Sequence, residues 1–369
     1  MLAALLLTLL LPQSPADSFE SLAVRVDSSR HEVVITTRPF DLPDMSGMHD
    51  HSQSHDTPVY KFDWPVDGWF RGFRVRVFDA EGNALPRRLM HHLIMINYGR
   101  RQLVYRAAER LWGAGVETGN FSLPKTIGVP LSTGTPLGMY IAWHNSMGHD
   151  LQGVRLEIAM QWTPKNQLPA PVDVLPLYLD VNLKVGGANE FDIPPGHFEK
   201  VYEFTVPVEG RILGVSGHLH DYGREVRLED AETGKVLTRV EARVRPDGTL
   251  QGMDRRLFGV SGEGLKLKGG HRYRVVAVYD NPTPDTLVKG AMGSLVGIFT
   301  PRNVRDWPRV EPDDTLFQSD LRFLSRRGRG MMMQMHHEAA APDTGQQGMS
   351  MPMPHEAAAA DSSHDHSHD

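Results

Sequence analysis

Cysteine is absent from the 369 residues. No disulfide can staple the chain, and any bound metal must be held by histidine, methionine or carboxylate. Surplus positive charge is missing as well. With 39 Lys and Arg against 45 Asp and Glu the net charge is −6, which offers no electrostatic footprint for a nucleic-acid partner. Long apolar runs are lacking too. The run near the start, residues 2–11, is too short to span a bilayer, which takes about 20 residues, and no other stretch comes closer. Finally, no stretch shows the apolar repeat of a long amphipathic helix.

What is present begins with a leader-like segment. The leucine-rich start is closed by Pro12-Gln13-Ser14-Pro15-Ala16, and a short apolar core ending in small residues reads as a secretory signal over residues 1–16. It lacks the usual basic residues at its start. The expectation is a secreted or periplasmic protein with no transmembrane segment.

From there the pattern is β. Apolar and polar residues alternate over 22–26, 32–36, 72–78, 139–145, 153–160, 204–207 and 273–279, with turn residues between. Alternation is the mark of half-buried strands, and many short strands at turn-separated spacing argue for sandwiches rather than one large barrel. Pro164, Pro169, Pro171 and Pro176 crowd one short segment, which suggests a linker over 166–176. The expected organisation is an all-β chain. A first sandwich spans 17–165, a second spans 177–305, and a tail spans 306–369, disordered from about residue 326.

The 18 His and 17 Met are unusual and clustered. His218-Leu219-His220 sits in an alternating run, so both imidazoles would leave the strand on one face and could share a metal; two polar residues on a solvated face would look the same. His91-His92 interrupts an apolar run over 89–97. Neighbours on a regular strand face opposite sides, so these two could reach one ion only where the strand is distorted or ending. Hydrogen bonds to carbonyls would satisfy them equally. His144 ends a strand of a hairpin, and His149 in the following loop reads as a surface residue. A Met- and His-containing loop over 44–56, and Met331-Met332-Met333-Gln334-Met335-His336-His337-Glu338 with the terminal His364-Asp365-His366 stretch, mix thioethers with imidazoles. Such a mixture suits both copper oxidation states, and the tail reads either as a copper-capturing arm facing a donor or acceptor protein or as plain low-complexity sequence.

Several of these fragments, with a few more, resemble the copper type II ascorbate-dependent monooxygenases, the family of peptidylglycine α-hydroxylating monooxygenase and dopamine β-monooxygenase. They run in order over residues 60–300: Met90-His91-His92-Leu93, Ala142-Trp143-His144-Asn145 with Gly153-Val154-Arg155-Leu156, Ile193-Pro194-Pro195-Gly196, Gly217-His218-Leu219-His220-Asp221-Tyr222-Gly223, Val278-Tyr279-Asp280-Asn281, and Met292. The resemblance implies two consecutive jelly-roll-like antiparallel β-sandwiches with one copper on each. His91, His92 and His144 would hold an electron-transfer copper. His218, His220 and Met292 would hold the catalytic copper that binds O2. An external one-electron reductant such as ascorbate would feed the hydroxylation of a small substrate.

The match has departures. The family's disulfides are gone, and Ser216, Ser294 and Val296 stand where the peptide-hydroxylating branch carries the groups that anchor a peptide carboxylate. A peptidylglycine substrate is therefore not expected. The competing expectation is a non-catalytic exported copper-binding protein for delivery or resistance. A two-sandwich hydrolase of the glycoamidase type would need paired carboxylates in a cleft, and no spacing singles any out.

Overall fold

The computed structural model of the protein describes residues 22–46, 55–57, 59–115, 118–258 and 263–326. The expected signal segment, the centre of the Met- and His-containing loop (47–54), and the Met- and His-rich tail all lie outside the described residues.

Two pairs of sheets account for nearly every element. In the first, Leu22–Asp27, Glu32–Thr37, Leu151–Pro164, Gly68–Phe78 and Ile127–Leu131 form one sheet, and Ala108–Gly115, Met90–Arg101 and Pro136–Trp143 form the main strands of the other. Alternation dictates which side chains meet. Phe73, Val75 and Val77 point inward from the Gly68–Phe78 strand and share a buried core with Leu93, Met95, Met139 and Ile141 of the opposing sheet. Phe73 stacks on Trp112 across the gap at 3.9 Å between ring centroids. Each such side chain, fully buried, contributes about 1.5–3 kcal/mol.

The second pair repeats the plan. Leu175–Asp180, Gly293–Pro301 and Gly210–Leu219 form one sheet, with Gly196–Thr205, Arg272–Asn281, Gly223–Asp230 and Val236–Val244 in the other. Leu177, Leu179, Ile212, Leu295 and Phe299 bury against Val226, Leu228, Val240 and Val275. The chain is thus an all-β protein of two consecutive jelly-roll-like antiparallel sandwiches. The short strand Val172–Asp173, in the proline-rich segment, pairs in parallel with Ile127–Leu131. The next strand, Leu175–Asp180, opens the second sandwich, so the crossing takes a single residue.

One element departs from the sequence reading. Thr315–Arg326 is an α-helix in the segment expected to begin a tail. Asp314 caps it, its carboxylate accepting from the backbone N–H groups of Leu316 and Phe317 at 3.0 Å each. Phe317, Leu321 and Leu324 recur at helical spacing and pack on Ile94, Ile96, Tyr98 and Ala108, the outer face of the first sandwich's second sheet. Asp320 falls on the same side and breaks the apolar pattern, which hid the helix. It is 2% exposed and meets Arg110 in a two-pronged pair at 2.8 and 3.0 Å, and also accepts from the Ala108 N–H at 2.9 Å. Among the described residues no helix is long and apolar enough to cross a membrane.

Two outcomes follow from the docked helix. Asp320→Ala leaves Arg110 buried without its counter-ion and should destabilise the fold by about 3–5 kcal/mol. Leu316→Ala, at an exposed neighbouring position, should stay within about 0.5 kcal/mol; urea midpoints compare the two. Separately, the Arg106 guanidinium, 2.8 Å from Asp314, holds that carboxyl below its ordinary value of 3.8. A carboxylate whose folded-state pKa is depressed stabilises above the ordinary value and loses that contribution as the pH falls below it. Amide protection of the helix should therefore fall below about pH 4. Asp314→Asn, which keeps the cap but has no such proton to take up, should flatten that dependence.

Candidate metal centre

The adjacent histidines are explained by a fault in strand pairing. Ala142 pairs with His92 and Trp143 with Met90, so His91 is the extra residue of a β-bulge. A bulge re-aims side chains that a regular strand would send to opposite faces. The His91 and His92 rings lie 4.1 Å apart between centroids. His92 also shares the parity of Ile94, Ile96 and Tyr98, so it stands on the outer face of its sheet.

The other two histidines arrive from the second sandwich. His218 belongs to the last turn of alternation in Gly210–Leu219, with His220 just past the strand end. Gly217 precedes them for want of space, since a Cβ there would lie 2.6 Å from Val226 Cγ1 of the facing sheet. The four rings converge across the junction. His92 Nε2 lies 3.1 Å from His218 Nε2. The ligand nitrogens of His91, His92 and His220 all fall within 4.8 Å of one another. All four histidines are half-buried.

These distances suit a shared ion. Two nitrogens at about 2.0–2.1 Å from one tetrahedral metal are themselves about 3.3 Å apart, and opposite ligands of a planar ion about 4.1 Å. The His92–His218 spacing already falls near ligand separation, and the nitrogens of His91, His92 and His220 exceed the opposite-ligand distance of a planar ion by at most about 0.7 Å.

His220 is the best supported of the four. Its Nδ1 lies 3.2 Å from the Gly290 carbonyl. A carbonyl can only accept, so Nδ1 carries a proton, and in the neutral ring Nε2 keeps the lone pair, the arrangement that orients metal-binding imidazoles. Its backbone N–H donates to Tyr279 Oη at 3.0 Å, and the Tyr279 hydroxyl donates to the Met292 carbonyl. Tyr279 is fully buried, and burial raises its phenol pKa. The carboxyl of Asp180 lies on the same cross-strand row as His218, with Ser294 between them. It is fully buried; burial pushes its pKa up, while hydrogen bonds from Tyr178, Asn182 and Asn189 and the charge of His218 oppose that rise.

The remaining site candidates sit around this cluster. The His144 backbone N–H donates to the Leu89 carbonyl at 2.8 Å, which places the residue at the root of the histidine strand, but its ring is not one of the three grouped nitrogens. Met292 is half-buried and directly precedes Gly293, the residue that pairs with Leu219. His149 is exposed. Tyr279 and Gly290 were not readable as supports of His220, because they lie far along the chain and only sheet pairing brings them close.

No protein-family model matches this chain, and no curated protein does. Solved structures that match include the STIV MCP, at 10% identity with a TM-score of 0.35, covering 72% of this chain and 98% of that one. PNGF-II matches at 11% identity and a TM-score of 0.37, covering 73% and 66%. The major capsid protein P2 from bacteriophage PM2 matches at 10% identity and a TM-score of 0.30, covering 73% and 99%.

The resemblance to copper monooxygenases does not survive these findings. The matches named are capsid proteins and PNGF-II, not copper monooxygenases, and no family model restores the link. The grouping also differs. The resemblance divides the ligands into one copper per sandwich, whereas His92 and His218, assigned to different coppers, are 3.1 Å apart at their ring nitrogens. The hydroxylation reaction and the enzyme assignment fall with the resemblance.

Tyr279→Phe removes the hydroxyl that serves both the His220 N–H and the Met292 carbonyl. Leaving such groups unsatisfied should cost about 1–3 kcal/mol, measured by chemical denaturation.

Proposed function

We propose that this is a non-catalytic metal-binding protein of the two-sandwich type, which takes one late first-row transition ion where its sandwiches meet. The grouping of the His91, His92 and His220 nitrogens, with the His218 ring against His92, carries the reading. An all-imidazole site with no thiolate and no carboxylate in the group suits copper(II), zinc(II) or nickel(II), and copper(II) leads the affinity order. Copper is therefore the first choice, as a single ion in this centre rather than two. The leader-like start and the Met- and His-rich segments support an exported setting, secreted or periplasmic, in which the tail meets a copper-bearing partner.

Equilibrium dialysis of the full chain against copper(II), beside the His92→Ala/His218→Ala variant, tests the proposal. The variant should hold one tightly bound ion fewer per chain, whatever the tail binds, and His149→Ala should match the unaltered chain. Equal stoichiometry in all three would refute the site.

A further inference from the structure

The four histidines come as two pairs from two separately built sandwiches. His91 and His92 ride on the bulged strand Met90–Arg101, within the sheets that end at Asp173, and His218 and His220 ride on Gly210–Leu219 in the sheets that begin at Leu175. Among the described residues, the first pair and His220 form the grouped nitrogens, and His218 joins them through His92.

Resting on the reading of this cluster as a metal centre, we infer that the ion is a removable staple between the sandwiches: each supplies half of its ligands, so binding the ion and holding the junction closed are one equilibrium. Two imidazoles form only half a site. When the partner sandwich already presents the second pair, binding to it becomes intramolecular, and linking two modest half-sites in this way raises affinity by about 10²–10⁴. Linkage makes the effect mutual. Whatever affinity the ion gains from a closed junction returns as stability of that junction.

The rest of the junction leaves room for such a device. Tyr105, between two strands of the first sandwich, donates its hydroxyl to the Asp180 carbonyl at 2.8 Å and accepts from the Asp180 N–H at 2.7 Å. Its ring approaches those of Tyr178 and Tyr202. Farther along the chain, the helix after the second sandwich returns to the first through the Arg110–Asp320 pair. These anchors carry no metal ligand. The histidine cluster is a separate point of attachment, and the one whose strength depends on what the solution supplies.

The test uses the full chain with zinc(II), which has the same taste for imidazole and no redox chemistry of its own. Hydrogen exchange is followed by mass spectrometry with and without the ion, and affinity is measured by competition with a chelator. The variants are His91→Ala/His92→Ala and His218→Ala/His220→Ala, with the corresponding glutamine pairs, which keep a polar side chain, standing in if the alanine pairs do not fold. Zinc(II) should slow exchange in both Met90–Arg101 and Gly210–Leu219 of the unaltered chain. Either double variant should bind at the cluster at least about 100-fold more weakly and lose protection on both strands. Protection confined to one strand, or a double variant within tenfold of the original affinity, overturns the staple while leaving a one-sided metal site. If neither variant changes stoichiometry or affinity, the metal centre and the staple fall together.

Discussion

The approach of His92 to His218 is the constraint on which the remainder of the site depends. Two imidazoles from separate sandwiches meet nitrogen to nitrogen at 3.1 Å, and that is possible only because several unrelated features agree. A bulge brings His91 round beside His92. A glycine lets the Gly210–Leu219 strand lie close against its neighbouring sheet. A buried phenol and a carbonyl fix the backbone and the ring of His220.

Much of the fold was legible because strands write their geometry into a two-residue period. Phe73, Val75 and Val77 alternate with arginines, and the structure buries the first set while leaving Arg74 half-buried and Arg76 exposed. The helix was not legible for an equally physical reason. Asp320 occupies an inward position that periodicity assigns to an apolar residue, and only the three-dimensional position of Arg110 makes it acceptable there. The site lay between these cases. The sequence flags His91-His92 as workable only on a distorted strand, and a distortion is what the pairing shows. Nothing local announces that this pair and His218/His220 meet, since about 126 residues separate His92 from His218.

The family resemblance failed in an instructive way. Its fragments are short, and those that carry histidine are strands with the imidazoles near one end. Order along the chain then suggests a shared plan, because consecutive sandwiches repeat the same local grammar. What order does not carry is the partition of ligands. Two well-separated centres and one pooled centre can use the same residues, and they differ only in how one sandwich is set against the other. Chemistry follows that setting and not the motif list.

The returning helix has a mechanical consequence. Leu22–Asp27 and Thr315–Arg326 both belong to the first sandwich, one as a strand of its sheet and the other seated on its outer face. The second sandwich is therefore threaded between two anchorages on the same body. A pull applied to Leu22 and Arg326 would load the first sandwich and the helix that clasps it, while the second hangs outside the line of force until the clasp lets go.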